Sequence, residues 1–265
     1  MKPNKVFHAS LITIVMIYLF IPLVATFLYS ISTDWYRTIL PEGYTLSWYK
    51  ELFTDPRFLD AMQRTLLVCF LAICISVTVM VPTIFIVTVY FSRWERTLQG
   101  LVMLPYAIPG VVAAVGLIKL YSSGPIVLSG SIWILIGAYF VIVLPYMYQG
   151  IRNSMRTIDA IKLVEAAELL GASRMQAFWK VIFPNILTGI IVSTLLSFST
   201  LFGEFVLANL LVGGHYETMQ IYLIRRMSES GHLTSAIVVT YFILLFALSG
   251  IVMRLGKSSS KEGSR

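Results

Sequence analysis

The chain is poor in charge. It carries 13 Asp and Glu and 20 Lys and Arg among 265 residues, or 12%, where soluble domains hold about 25%. That scarcity excludes an ordinary water-solvated globule. Cysteine is almost absent as well. Cys69 and Cys74 share one apolar run; at that spacing on a helix they face different directions, so a disulfide scaffold is excluded and both read as small buried hydrophobes. The three histidines, His8, His215 and His232, are scattered without a partner at ligand spacing, and no metal centre is expected. A phosphate-binding loop of the form G-x-x-x-x-G-K-[ST] is also missing. The nearest approach, Gly250-IVMRL-Gly256-Lys257-Ser258, has one residue too many and follows an apolar run instead of a strand. No nucleophile–base pair is present either. The chain is therefore expected to be no enzyme and to hold no cofactor, and any ATP it uses must be bound and hydrolysed by another subunit.

What the chain does have is apolar length. It is 57% hydrophobic with a mean hydropathy of +0.81, which makes the bilayer its solvent. A helix needs about 20 apolar residues to cross the hydrocarbon, and six runs qualify: 9–31, 63–91, 101–121, 131–149, 186–211 and 235–255. The first is too long for the core of a cleavable signal, about 7–15 residues, and reads as a retained anchor. The net charge of +7 does not point to nucleic acid, because the basic residues sit beside apolar runs. Lys2, Lys5, Arg93, Arg96, Arg152, Arg156, Lys162, Arg174, Lys180, Arg254, Lys257, Lys261 and Arg265 fall on one side, against Arg37, Lys50, Arg57, Arg225 and Arg226 on the other. The excess places both termini in the cytoplasm, and an even number of spans agrees. The outer segment 32–62 is rich in Trp35, Tyr36, Tyr44, Trp48 and Tyr49, rings that favour the headgroup region. Ser47 is a candidate cap for a short helix over Trp48–Phe53. A second outer helix is expected over Met219–Glu229, with Gly231 just past its end.

Two features stand out within the runs. In LPYAIPG, Pro105 and Pro109 remove two backbone donors from one helix, so the freed carbonyls need partners in neighbouring helices or in a watery path. That admits either a kinked structural helix or a helix lining a pathway. Glu204 is the one acid inside an apolar run, where a carboxylate costs several kcal/mol unless it pairs or faces water. It reads as a group on a solute path, as the partner of Arg225 or Arg226, or as a residue of a wet vestibule.

The longest polar segment, 159–184, reads DAIKLVEAAELLGASRMQAFWKVIFP. Asp159 is a candidate N-cap for a helix over Ala160–Leu170. Leu163, Ala166, Ala167 and Leu170 recur at helical spacing and form an apolar face, with Lys162 and Glu165 paired on the other side. Gly171 ends the helix as a residue able to take positive φ. Ser173-x-x-Gln176 is a capping box that starts another turn, and Pro184 is expected to break or kink the chain before the fifth run. Ile161 and Leu169 are left wet on such a helix, as docking residues would be; the alternative is a hairpin packing on its own bundle.

Glu165-Ala166-Ala167, Gly171 and Pro184, in this register and between the fourth and fifth of six runs, resemble the EAA loop of bacterial binding-protein-dependent ABC importer permeases. Val181 and Phe183 stand where that pattern has Ile and Leu, and both keep the apolar character. The resemblance implies an all-α membrane protein, one domain over residues 1–265 with six transmembrane helices in the type I (MetI-like) permease fold and a cytoplasmic coupling helix. It implies that Glu165, Ala166, Ala167, Gly171 and Pro184 form the contact with an ATPase dimer. It further implies a second permease subunit, with a heterodimer favoured, an extracytoplasmic substrate-binding protein, and residence in the bacterial cytoplasmic membrane. Glu204, Pro105 and Pro109 are the candidates for the solute path. The stretches ILPEGYTLSWY, LPYAIPGVVAAVGL and SSGPIVLSGSIWILIGAYFVI look most like permeases for 2-aminoethylphosphonate, then for spermidine/putrescine, and more distantly for ferric iron. A secondary carrier would show internal repeats and more intramembrane charges, and an intramembrane enzyme would need a catalytic constellation; neither is found.

Overall fold

The computed structural model describes residues 5–35, 38–123 and 125–262. Lys2, Tyr36, Arg37 and Arg265, used above, lie outside them, as do the side chains of Lys5, His8, Lys257 and Lys261. Twelve α-helices follow in order: α1 (Lys5–Ser30), α2 (Ser47–Thr54), α3 (Pro56–Tyr90), α4 (Glu95–Ala107), α5 (Gly110–Tyr121), α6 (Ile132–Thr157), α7 (Ala160–Leu169), α8 (Arg174–Gln176), α9 (Phe183–Phe202), α10 (Val206–Leu211), α11 (Met219–Arg226) and α12 (Gly231–Glu262). Helices dominate because a backbone in hydrocarbon must satisfy its own polar groups. Among the described residues, five helices are long and apolar enough to cross a membrane, or six if α4 and α5 count as one broken span. The hydroxyls inside the spans follow the same rule: those of Thr65, Ser76, Thr78 and Thr83 in α3 donate to the carbonyls one turn back.

The residues gather into two compact units. The first comprises residues 5–59 and 222–245. Past the end of α1, the Ser32–Tyr44 bridge closes a loop, with Thr33 N–H donating to the Gly43 carbonyl at 3.0 Å and Thr45 N–H to that of Ile31 at 2.7 Å. Thr45, not Ser47, serves the start of α2: its hydroxyl accepts from the Ser47 N–H at 3.1 Å, and Ser47 is the first helical residue. A second correction concerns Gly231, which opens α12 instead of closing α11; α11 stops at Arg226. Buried in this unit, His232 stacks on Tyr29 and Trp48 with ring centres 4.1 and 5.3 Å away. Its Nδ1 lies 3.0 Å from the Tyr29 carbonyl and 3.2 Å from Ser32 Oγ.

The second unit comprises residues 60–221 and 246–262. Its core is the crossing of α6 and α9, where Ile151, Met155, Ile186 and Leu201 are buried. Small residues set the approach. A Cβ on Gly150 would fall 2.7 Å from that of Ser193, and one on Gly189 would fall 2.4 Å from Ser154 Oγ. Gly150-x-x-x-Ser154 and Gly189-x-x-x-Ser193 thus form a reciprocal small-residue pair of the kind that lets membrane helices close on each other. Cys69 is buried, Cys74 is exposed, and both are free.

Two runs, and the junction at Pro184, depart from the sequence expectation. The third, expected as one span over 101–121, is α4 and α5 meeting at 99°. Pro109 cannot donate to continue α4, and Ile108 is forced into an extended conformation before it. The fifth, expected over 186–211, ends at Phe202 and resumes as α10 after Gly203, Glu204 and Phe205. Of the break or kink expected at Pro184, no break occurs. Residues Ala177–Ile182 form a π-helical turn that runs straight into α9, with Pro184 its second residue; the irregular turn just before the proline is where the regular α-helical pattern is interrupted.

Candidate functional site

The polar segment 159–184 folds as α7, a tight reversal, the single turn α8 and the π-helical turn, against which α7 packs. Asp159 precedes α7, but at φ 51° its carboxylate makes no capping bond; it accepts from Lys162 Nζ at 2.5 Å instead, a bond that raises the Lys162 pKa. Lys162 is thus bonded back to Asp159, while Glu165 acts on it through its charge alone. The inward face of α7 is also turned from the one expected. Ala160, Val164 and Ala167 are buried, while Ala166 and Leu170 are exposed.

The reversal is a Schellman motif. Gly171 N–H donates to the Glu168 carbonyl at 2.9 Å, and Ala172 N–H to that of Ala167 at 3.0 Å. Gly171 takes φ +84°, with open space where a Cβ would be. The capping box that follows is complete: Ser173 Oγ accepts from Gln176 N–H at 3.3 Å, and Gln176 Oε1 accepts from Ser173 N–H at 2.9 Å. Both features agree with the sequence reading.

Three side chains fix the loop to the end of α3. Tyr90 OH donates to Glu168 Oε1 at 3.3 Å, Arg174 lies over the Tyr90 ring at 4.7 Å, and Arg174 Nε stands 3.8 Å from Glu168. Phe178 is buried against Phe85, 4.7 Å between ring centres. On the adjoining helices Arg152 of α6 bonds Glu95 of α4 at 2.5 Å. The result is a firmly held platform with an apolar outer face. Leu169 and Leu170 are each 89% exposed, and Ile161, Met175 and Trp179 are exposed with them. Among the residues singled out from sequence, Glu165 and Ala166 are on this outer surface, Ala167 is turned inward and Pro184 is exposed at the start of α9. Leu170 and Met175 were missed, because helical periodicity assigned Leu170 to the packed face.

The two breaks in the second unit lie together. α10 packs on α5 and α6, with Val206 Cγ1 3.8 Å from where a Gly110 Cβ would stand. A groove of about 650 Å³ is lined by Pro105, Ile108, Gly110, Trp133, Gly137 and Leu207, among others. Pro105 and Leu207 therefore share one groove, with Pro109 capping the α5 start. Glu204 sits at the α10 break. Its Oε1 accepts from Leu207 N–H at 2.8 Å and its Oε2 from Ala208 N–H at 3.0 Å. The buried Tyr139 sets its hydroxyl against the same carboxylate.

Of the two arginines considered as partners of Glu204, Arg226 is engaged within the first unit. It bonds Asp55 at 2.6 Å and also Glu229, and lies over the Tyr222 ring at 5.2 Å. Tyr222 OH donates to the same Asp55 oxygen at 2.7 Å. Burial pushes the Asp55 carboxyl up, but the hydrogen bonds from Tyr222, the Arg57 amide and Arg226 outweigh it and hold the group below its ordinary value. Burial and the Asp55 bond raise Tyr222 to about 12.

Residues 69–259 match the family described as binding-protein-dependent transport system inner membrane component. A putative 2-aminoethylphosphonate transport system permease protein of Salmonella paratyphi A is 24% identical, covering 91% of this chain and 92% of its own length. A spermidine/putrescine transport system permease protein of Haemophilus influenzae is 24% identical, at 91% and 94% coverage, and a sulfate transport system permease protein of Escherichia coli is 28% identical, at 80% and 83%. Among solved structures, a chain of a bacterial ABC transporter involved in the import of the acidic polysaccharide alginate superposes with a TM-score of 0.74 at 18% identity, covering 96% of this chain and 98% of that one.

Proposed function

The chain belongs to the family of binding-protein-dependent transport system inner membrane components, and from that membership we propose how its parts serve the import of a small polar solute. It is a multi-pass permease subunit of an ABC importer. The platform at 159–184 is the dock for a cytoplasmic ATPase, with Glu165, Ala166, Ala167, Gly171 and Pro184 building or bounding the contact. The observation that carries this reading is the platform itself: Leu169 and Leu170 protrude from an element that Tyr90, Glu168 and Arg174 hold in place. Apolar side chains kept rigid and wet favour a protein partner. ATP is bound and hydrolysed by that partner, and both termini lie in the cytoplasm, following the distribution of Lys and Arg.

One chain offers one dock, so a pair of ATPases needs two permeases, and a heterodimer is favoured. An extracytoplasmic binding protein delivers the solute. The solute path runs along the paired breaks, past Pro105, Pro109 and Glu204. The best candidate solute is 2-aminoethylphosphonate, supported by the coverage of the Salmonella relative. The polyamines are the second reading, supported by the Haemophilus relative. The test is reconstitution: the chain, its ATPase, the second permease and the binding protein in liposomes, with uptake of labelled 2-aminoethylphosphonate, putrescine and sulfate compared. ATP-dependent uptake of the phosphonate alone supports the first reading. Recovery of the complex without an ATPase bound to the 159–184 platform overturns the docking assignment.

A further inference from the structure

The intramembrane acid has its oxygens already committed. Glu204 gives one carboxylate oxygen to the Leu207 N–H and the other to the Ala208 N–H, and the Tyr139 hydroxyl faces the same group. The first amides of any helix lack intrahelical acceptors. α10 has only six residues, far below the length at which a helix sustains itself. An acid at its start satisfies two of those amides and meets the partial positive charge of the helix N-terminus. α10 in turn packs on α5 and α6, and Leu207 lines the groove beside Pro105 and Ile108.

We propose that Glu204 is a positioning residue, which acts through α10 by holding the second half of the broken fifth span against the broken third, and that it does not bind the solute as a free negative charge. This rests on the reading above that the path follows the paired breaks. It also sharpens the solute class. A bare carboxylate on the path would select cations and repel a phosphonate. A carboxylate bonded to helix amides keeps its charge, but the positive end of α10 offsets part of it and so weakens its preference for a cation over a zwitterion.

The experiment pairs hydrogen–deuterium exchange on the full-length chain in lipid nanodiscs with uptake by the reconstituted importer. Glu204→Ala is expected to speed exchange across 205–211 at least tenfold, and Glu204→Gln, which keeps one acceptor, about threefold. For uptake of 2-aminoethylphosphonate, E204Q is expected to lower Vmax at least fivefold with KM within twofold of the wild type. Unchanged exchange in both variants overturns the proposal, and so does a tenfold rise in KM at unchanged Vmax. Should E204A fail to accumulate, E204Q carries both measurements. Should the wild type not take up 2-aminoethylphosphonate at all, the solute assignment fails, while the exchange data still decide the role of Glu204.

Discussion

Gly150 and Gly189 face each other where α6 crosses α9, each with its successor serine one turn on closing over the other: a methyl on Gly189 would stand 2.4 Å from Ser154 Oγ and 2.8 Å from the Gly150 carbonyl. Neither backbone can retreat without opening the core of the second unit. Gly189→Val is therefore expected to destabilise the purified chain by about 3 kcal/mol or more, the upper end of overpacking costs. Thermal unfolding in detergent measures it. A midpoint within a degree or two of the wild type would show that the crossing is slack.

At Gly171 the expected failure is different. The residue adopts φ +84° in open space, so a larger side chain meets no neighbour but strains the backbone by about 1–3 kcal/mol, most for a β-branched one. Gly171→Val should insert into the membrane at the wild-type level yet lose most ATPase recovery on co-purification. Gly171→Asn, which tolerates the left-handed region, should retain it. Equal recovery with Val and Asn would remove the conformational argument.

The loop anchor separates two contributions of Tyr90. Tyr90→Phe loses the hydrogen bond to Glu168 but keeps the ring beneath Arg174, while Tyr90→Ala loses both. ATPase affinity is expected within twofold of the wild type for the first and about tenfold weaker for the second, since a partly exposed cation–π contact and its packing are together worth about 1 kcal/mol or more. Binding of the ATPase to nanodisc-held chain reads both.

In the first unit, Asp55 is the acid most dependent on its neighbours. Its folded pKa lies below the ordinary 3.8, so its contribution to stability is complete above that value and is lost as pH falls through the depressed folded one. The thermal midpoint difference between wild type and Asp55→Asn should be constant from neutral pH down to about pH 5 and shrink only below 3.8. A difference that changes between pH 5 and 8 would assign the effect to another group. At neutral pH the substitution should cost about 2 kcal/mol, as hydrogen bonds to charged groups do.

Much of the fold was legible because lipid allows few answers. Apolar runs of sufficient length become helices, and their positions followed. Gly171 and the Ser173–Gln176 box were legible for a related reason: both are local, with donor and acceptor within a few residues. What escaped depends on partners far along the chain. The rotation of α7, which buries Val164 and exposes Leu170, is set by the π-helical turn beneath it. The stacking of His232 between Tyr29 and Trp48 joins residues some two hundred positions apart. Gly150 and Gly189 each look ordinary in a membrane helix until the two are seen to meet. Glu204 was legible only in part. An isolated acid in an apolar run signals function by its cost, but the sequence does not show that the helix restarts two residues later and offers its amides as the partner.

The wide turn at Ala177–Ile182 is where the platform passes into the span that follows it. The wider turn shifts the helical phase by a fixed amount, with Ala177 and Phe178 buried within it and Ile186 and Ile190 buried beyond it. On the docking and path assignments proposed above, evolution can alter the platform to suit a new motor while leaving the solute path untouched, or retune the path while keeping the motor. A chimaera joined within this turn should inherit its energy source from one parent and its cargo from the other.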